Sequence, residues 1–337
     1  ASVIEQRCLP PGPLTFTIYD TYGDGLNGSM WGGLDGSYYV VQCYDTLVSG
    51  TDPAFDNDTW QTNVSRAEVI ETALAKTFRY LESRQNKIDY TVVNVHIDPV
   101  IPEEHHEWID KLGKDAMLAA PGLDGRFDVI IGLDTDFMHA VVSEKGLEMP
   151  VKTDHSGSRP CPYSYGGCTS ATSLWAGWAN QPLDRLDENL GISRNVLHEA
   201  MHAIQDDMDP LAGGQVPPRD MENFRPVWLT EGSAEFWSYA LADYVGLRKY
   251  GHGSERIEYT PLVKTEEWGG NDDEPYEWGQ VAWEYLIAHK GFEVYLDVYS
   301  NLGEGMHFDD AFEAAAGIGL KDFYATFDLW VVDHVAD

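Results

Sequence analysis

The second half of the chain carries apolar residues at intervals of three and four, the spacing that places them on one buried face of a helix. Residues 194–207 show this pattern most clearly, and a second apolar-periodic segment opens at Trp228. The apolar stripe of residues 194–207 consists of Leu197, Ala200, Met201 and Ile204. Helical spacing continues after residue 230. The pattern predicts a mainly helical C-terminal lobe over about residues 191–337.

Helix and strand signals alternate in the preceding region, about residues 65–190. Ser65 and Glu68 form a capping box ahead of an apolar-periodic run. Strands are predicted at residues 90–95 and 128–132, with a helix near residues 104–118 between them. Residues 150–190 are rich in Pro, Gly and Ser, so we expect a long irregular loop there. Alternation of this kind predicts a mixed α/β lobe in front of the helical one.

The first 50 residues have a different character, because short alternating segments flank a stretch dense in turn residues. This stretch resembles the D-x-Y-G-D-G β modules of many secreted proteins. Its candidate Ca²⁺ ligands are Asp20, Asp24, Asn27 and Asp35. An ion-free turn is the favoured alternative, since Trp31 stands where an EF-hand loop has its bidentate glutamate.

These patterns together predict an α+β fold. We expect a small β-rich accessory module at residues 1–50 and one larger domain at 51–337. Residues 51–64 are polar and serve as a linker or a wrapping loop between them.

The charge balance narrows the range of partners. The chain has 56 acidic and 22 basic residues, a formal net charge of −34. Binding to nucleic acids or to anionic membranes needs a positively charged surface, so we expect neither kind of partner. The hydrophobic content of 43% is high enough for a packed core. No run of 18 apolar residues occurs, so no transmembrane segment is predicted.

The four cysteines suggest an oxidising compartment. Cys8, Cys43, Cys161 and Cys168 lack the C-x-x-C spacing of a zinc knuckle. Three disulfide pairings are open, and Cys8–Cys43 with Cys161–Cys168 is the local choice. An even number of cysteines is typical of secreted proteins, so we expect an extracellular protein. The oligomeric state is left open, with a monomer as the expectation.

The helix predicted at residues 194–207 also carries candidate chemistry. His198 and His202 are four residues apart, so their rings stack one turn above the other. Two neutral imidazoles so placed can bind one Zn²⁺ at about 2.0–2.1 Å. Glu199 points near the metal without ligating it, where it can accept a proton from a metal-activated water molecule. This H-E-x-x-H order is the pattern of zinc peptidases; the apolar opposite face favours function over a chance match.

The third ligand defines the subclass of zinc site. Metzincins place Gly and His seven and ten residues after the first histidine, but Gln205 and Met208 stand there. The segment W-L-T-E-G at residues 228–232 instead resembles the gluzincins, the superfamily that holds thermolysin and the zinc aminopeptidases. Their third ligand is a glutamate in such a segment on the following helix, which implies Glu231. Glu235 matches the carboxylate that orients a ligating histidine in thermolysin-like enzymes; a solvated helix carboxylate is the alternative.

Two weaker resemblances to the same superfamily follow. Residues 275–279 are similar to the Y-x-K-G segment of zinc aminopeptidases, which implies Tyr276 as the donor that stabilises the oxyanion. Trp278 takes the place of the lysine, a departure from that pattern. Residues 166–172 are a candidate for the edge strand on which gluzincins pair a peptide substrate.

The expectation is therefore a secreted zinc peptidase with its site in the cleft between the two lobes. It would act on peptides or proteins, with Zn²⁺ as cofactor and Ca²⁺ as a further candidate ion. An endopeptidase is favoured, because the aminopeptidase signature for a free amine is missing upstream of His198. An aminopeptidase-like exopeptidase stays open, as does a binding or structural protein whose zinc has four protein ligands, with His252 as the nearest candidate for the fourth.

Overall fold

The computed structural model describes residues 39–41, 47–49, 60, 62–85, 87, 90–119, 127–133, 135–147, 151–154, 157–160, 166–170, 175–179, 190–209, 225–247, 249–251, 259–266 and 274–335.

Helices dominate this described part. They are α1 (Arg66–Gln85), α2 (Glu103–Asp115), α3 (Thr135–Lys145), α4 (Leu190–Met208), α5 (Val227–Tyr244), α6 (Glu274–Lys290), α7 (Glu293–Gly303), α8 (Phe308–Ala316) and α9 (Leu320–His334). Short 3₁₀ helices cover Tyr90–Val92, Ala116–Ala119 and Leu262–Thr265. The predicted capping box starts α1: the Ser65 amide donates to Glu68 Oε2 at 2.8 Å, and the Glu68 amide donates to Ser65 Oγ at 3.4 Å.

The strands form one small mixed sheet and two hairpins. They are β1 (Tyr39–Val41), β2 (Leu47–Ser49), β3 (Val93–Ile97), β4 (Phe127–Ile131), β5 (Val151–Asp154), β6 (Gly157–Pro160), β7 (Gly166–Ser170) and β8 (Trp175–Ala179). The mixed sheet has the order β3-β4-β8-β7, with β7 antiparallel to β8 and the other pairs parallel. Strand β7 is therefore an edge strand. The pairs β1–β2 and β5–β6 are antiparallel.

Strand β4 shows why a strand that is buried on both faces belongs inside this sheet. All five of its residues are buried, and they alternate between two faces. Phe127, Val129 and Ile131 join the main core, whereas Ile130 packs on the other face with Met138 and Val142 of α3. Burial on both faces is typical of a central parallel strand.

Helix α4 lies between the sheet and the helices. It contacts β7 and β8 on one side and α5 and α7 on the other. Helix α5 packs along α6, and α1 covers α6. The main core continues through this helical part and contains the fully buried rings of Trp228, Trp237, Trp278, Trp283 and Trp330. The architecture therefore agrees with an α+β class that is mostly helical.

Two sequence predictions are wrong at this level. The region 150–190 is not one irregular loop, because β5, β6, β7 and β8 all lie within it. None of these four short segments shows a clean alternation of apolar and polar residues, so the period-2 pattern of a strand was missing from the sequence. The strand predicted at 90–95 begins later, at Val93, after one 3₁₀ turn.

The end of segment 51–64 wraps the helical core. The ring of Trp60 stacks on His289 with centroids 4.8 Å apart, and Trp330 Nε1 donates to the Val64 carbonyl at 2.8 Å. Within residues 1–50, the described part is the β1–β2 hairpin. The candidate calcium residues Asp20, Asp24, Asn27 and Asp35 lie outside the described residues, as do Cys8, Cys43, Cys161 and the side chain of Cys168. Among the described helices, none combines the length and apolar character needed to cross a bilayer.

Candidate metal centre

Helices α4 and α5 bring three ligand-type side chains to one point. His198 and His202 project from α4, and their Nε2 atoms are 3.0 Å apart. Glu231, in the first turns of α5, places Oε2 3.2 Å from His198 Nε2 and 3.1 Å from His202 Nε2. Within the described ranges, these residues form a group of three whose ligand atoms all lie within 4.8 Å of one another. We call them the ligand cluster.

Each imidazole is held from behind by a different partner. Glu235 Oε2 lies 3.1 Å from His198 Nδ1, and Gln205 Oε1 lies 2.8 Å from His202 Nδ1. A carboxylate and an amide oxygen both accept, so each Nδ1 carries a hydrogen, and a neutral imidazole then has its lone pair on Nε2. In this neutral form both lone pairs face the Glu231 carboxylate.

Electrostatics in the ligand cluster favour added positive charge. Burial lowers the pKa of His198, but hydrogen bonds and the charges of Glu231 and Glu235 outweigh it and raise that pKa overall. The pKa of His202 is likewise raised, because Glu231 outweighs burial. Burial raises the pKa of Glu231, yet the two imidazoles bring it well below its usual range. A cation, whether a proton or a metal ion, is stabilised between these three groups.

The geometry and the donor set fit zinc. A tetrahedron with bonds of about 2.0–2.1 Å has edges of about 3.3–3.4 Å, and the three donor atoms are separated by 3.0, 3.1 and 3.2 Å. Two imidazole nitrogens and one carboxylate oxygen are also the ligand set of catalytic zinc sites that keep a fourth position for water. The residues present therefore suit a tetrahedral divalent ion.

Glu199 and Tyr276 border the ligand cluster without belonging to it. Glu199 follows His198 on α4, is half-buried, and its charge contributes to raising the pKa of His202 and of Tyr276. The ring of Tyr276 stacks on His198 with centroids 5.8 Å apart, and its hydroxyl hydrogen-bonds to Glu231. Burial first, then the charge of Glu231, raises the pKa of Tyr276 well above its usual range. The phenol therefore keeps its proton at neutral pH and can donate a hydrogen bond.

A close helix crossing sets the position of Tyr276. A Cβ on Gly279 of α6 would lie 2.5 Å from the Trp228 carbonyl oxygen and 2.8 Å from Gly232 Cα. Only glycine at both Gly232 and Gly279 allows α5 and α6 to approach this closely. Tyr276 is one turn before Gly279, and Glu231 precedes Gly232. The crossing thus brings the phenol to the carboxylate.

The ends of the segment between α4 and α5 are joined by a buried ion pair. Arg225 Nε donates to Asp209 Oδ2, and both residues are almost completely buried. The Asp209 amide also donates to the Gln205 carbonyl at 2.8 Å, which continues the backbone pattern of α4. This pair fixes the end of α4 relative to the start of α5.

The structure brings His198, His202, Glu231, Glu235 and Tyr276 into direct contact, with Glu199 beside them. Glu235 is not a solvated helix carboxylate, since it is buried against His198. Trp278, the departure from the aminopeptidase segment, is a core residue that packs edge-on against Tyr259 at 4.9 Å. His252 lies outside the described residues.

Gln205 is the contact residue that sequence reasoning missed. In the sequence it stands where metzincins have a glycine, and no role is predicted for it beyond that departure. Its spacing carried the signal: residues 198, 202 and 205 lie on one helix face, so a side chain at 205 stacks one turn beyond His202.

Comparison with protein-family models, with curated proteins and with solved structures found no match to this chain. The functional argument therefore depends on the chemistry of the cluster.

Proposed function

We propose that this chain is a secreted zinc-dependent peptidase of the gluzincin type. The observation that carries the proposal is the convergence of two imidazole lone pairs and one carboxylate oxygen within 3.2 Å of one another. An H-E-x-x-H helix followed by a glutamate-bearing helix supports the same assignment.

His198, His202 and Glu231 would hold the zinc ion. When bound, zinc polarises a substrate carbonyl and lowers the pKa of a coordinated water molecule to about 7. Glu199 is the general base in this proposal: it accepts the proton of the attacking water and delivers it to the leaving amine. Glu235 and Gln205 keep both imidazoles in the Nδ1–H form that leaves Nε2 free to bind.

Tyr276 is the proposed donor to the carbonyl oxygen as negative charge develops there. Its contact with Glu231 puts the phenol beside the ligands, and its raised pKa keeps the proton on the hydroxyl. Removing one such donor from an active site costs about 10²–10³ in kcat.

Substrate would lie in a cleft between the sheet-bearing lobe, about 65–190, and the helical lobe, 191–337. Two contacts of α4 support this arrangement, with β7 and β8 on one side and α5 on the other. Among the described strands, β7 lies at the edge of the sheet and contacts the ligand-bearing helix, so its outer backbone edge can pair with an extended peptide. Pairing along a strand suits substrates that continue past both ends of the site, which favours an endopeptidase.

Glu199→Gln is the decisive variant. We expect it to bind one zinc per chain, as the unaltered protein does, while peptide hydrolysis falls by about 10²–10⁴-fold because the base is lost. Metal content by mass spectrometry and turnover of a fluorogenic peptide measure the two effects separately. Retained hydrolysis would eliminate Glu199 as the base, and zinc without hydrolysis in the unaltered protein would favour a structural metal.

A pair of matched peptides, one N-acetylated and one with a free amine, distinguishes the peptidase classes. An endopeptidase cleaves both at an internal bond. Cleavage of the free peptide alone, at its first bond, would instead assign the aminopeptidase alternative.

A further inference from the structure

Gln205 occupies a position where one amide contacts both helices of the ligand cluster. Its Oε1 accepts from His202 Nδ1 at 2.8 Å. Its Nε2 donates to the Thr230 carbonyl at 3.0 Å and to Ser233 Oγ at 2.7 Å. The side chain is 2% exposed, so these contacts are made without competition from water.

The orientation of this amide follows from its partners. A backbone carbonyl can only accept, so the group facing Thr230 must be the NH₂ and the oxygen must face His202. The oxygen in turn requires a hydrogen on His202 Nδ1. One side chain therefore determines the tautomer of His202 and, through Thr230, holds the residue directly before Glu231.

We infer that Gln205 is a positioning residue that couples the metal ligands of α4 to the ligand of α5. It sets the zinc affinity of the site by fixing the His202 ring and the start of α5 together. This inference rests on the proposed function only as far as zinc binding, and peptide hydrolysis plays no part in it.

The two histidines have different partners at Nδ1, so the role of Gln205 differs from that of Glu235. His198 is oriented by the charged carboxylate of Glu235, whereas His202 is oriented by a neutral amide. A single negative charge behind the ligands favours metal binding, and the amide gives orientation without adding a second charge. Loss of Gln205 should therefore weaken zinc binding chiefly by freeing the ring, which is why geometry is a suitable measurement.

The test compares Gln205→Met with Gln280→Met in the full chain. Methionine keeps nearly the same volume and removes every amide contact. Gln280 is the matched control: it is also a fully buried glutamine on a helix, but it bonds Tyr250 and the Gly251 carbonyl and touches no ligand. Zinc affinity is measured by competition with a chromogenic chelator, and ligand geometry by the visible absorption of the Co²⁺-substituted protein.

We expect Gln205→Met to lower zinc affinity by about 10–100-fold, the usual cost of losing an outer partner of a ligating histidine. Its Co²⁺ spectrum should change, whereas Gln280→Met should match the unaltered protein in both measurements. Equal zinc affinity and equal spectra for the two variants would overturn the inference, because Gln205 would then be an ordinary buried polar group.

A third variant covers the case in which Gln205→Met does not fold. Ser233→Ala removes one partner of Gln205 Nε2 and no ligand contact, and should lower zinc affinity by about threefold, less than loss of the amide itself. An unchanged affinity in Ser233→Ala would then count against the coupling role. If the unaltered protein binds zinc but cleaves no peptide, the peptidase proposal fails while the affinities still decide this inference. Failure of the unaltered protein to bind zinc would overturn both.

Discussion

Two largely buried polar clusters in the helical part each contain a glutamate but differ in how their atoms pair. The ligand cluster of His198, His202 and Glu231 points three lone-pair atoms at one another. The second cluster, the Glu284 cluster, consists of Arg66, Tyr250, Gln280 and Glu284. There the Tyr250 hydroxyl donates to Glu284 Oε1 at 2.7 Å, and Arg66 Nη2 lies 3.5 Å from Glu284 Oε2.

This difference distinguishes a candidate binding site from a structural network. In the Glu284 cluster, donors from Tyr250, Gln280 and Arg66 surround one carboxylate, so its negative charge is balanced within the fold. In the ligand cluster, the oxygens of Glu235 and Gln205 accept from the imidazoles on one side, and three further acceptor atoms converge on the other. A surplus of convergent acceptors is stabilised by a cation, which is why burial and charge alone would not have distinguished the two clusters.

Glu231→Ala should give the largest effect and bears directly on this contrast. Removing a ligand should lower zinc affinity by more than the roughly 10–100-fold cost of losing a supporting contact, and hydrolysis should fall with it. Titration with a zinc chelator and a peptide assay measure both. Full zinc binding by this variant would mean that the ligand cluster does not hold the metal.

Gly279→Ala should disturb the helix that serves both clusters, since α6 carries Tyr276 and Glu284. The added methyl group meets backbone atoms of α5 at 2.5 and 2.8 Å, so the helices must separate, at about 3 kcal/mol of unfolding free energy. We expect kcat to fall more than zinc affinity, because Tyr276 moves while the ligands stay on α4 and α5. Urea unfolding and steady-state kinetics provide the two values.

The matched control for that variant is Gly251→Ala, where no atom of the described residues lies within 4 Å of the added methyl group. It should leave stability and kcat nearly unchanged. Equal behaviour of the two alanine variants would show that the α5–α6 crossing is not what positions Tyr276.

Glu284→Gln tests the structural side of the comparison. The amide weakens the contacts with Tyr250 and Arg66, and we expect a loss of about 2 kcal/mol, in the range for hydrogen bonds to a charged group. Zinc content and hydrolysis should not change at temperatures where the variant is folded. A loss of zinc with unchanged stability would contradict the assignment of this cluster to structure.

His289, which lies outside both clusters, makes the stability of the fold depend on pH. Burial lowers the pKa of His289 to about 4, although its Nδ1 hydrogen bond to the Tyr285 carbonyl partly opposes this. The unfolded chain therefore binds more protons between the ordinary histidine pKa near 6.5 and pH 4. Stability present above pH 6.5 is lost as pH falls through this window, by about 1–2 kcal/mol at pH 5.

His289→Phe should remove that part of the acid sensitivity. Urea unfolding of the variant and of the unaltered protein at pH 7 and pH 5 gives the comparison. An identical loss in both would assign the acid sensitivity to other groups. For the two histidines of the ligand cluster, burial lowers the pKa but the carboxylates outweigh it and raise the pKa overall. Their contribution to stability therefore changes with pH in the opposite direction to that of His289.

The helical part of the fold was predictable because its signal is local. Apolar spacing, the capping box and the H-E-x-x-H order each depend on neighbours within one or two turns, and α1, α4 and α5 form where expected. An edge strand was predicted at residues 166–172, and β7 lies there at Gly166–Ser170, although an irregular loop was predicted around it. Its pairing with a peptide stays a prediction.

The remaining features depend on contacts between distant segments. The Gly232–Gly279 crossing joins residues far apart in the sequence, and the residues around each glycine do not predict the contact. The parallel pairing of β4 with β8 likewise crosses a long stretch of chain. The spacing of residues 198, 202 and 205 predicts that Gln205 lies next to His202. Its contacts with Thr230 and Ser233 on α5 cannot be predicted from that spacing.

The buried bond between Asp209 and Arg225 ties the end of α4 to the start of α5 by side chains. The spacing of the candidate ligands on these two helices is therefore held by a contact within the scaffold, close to both ligand-bearing segments.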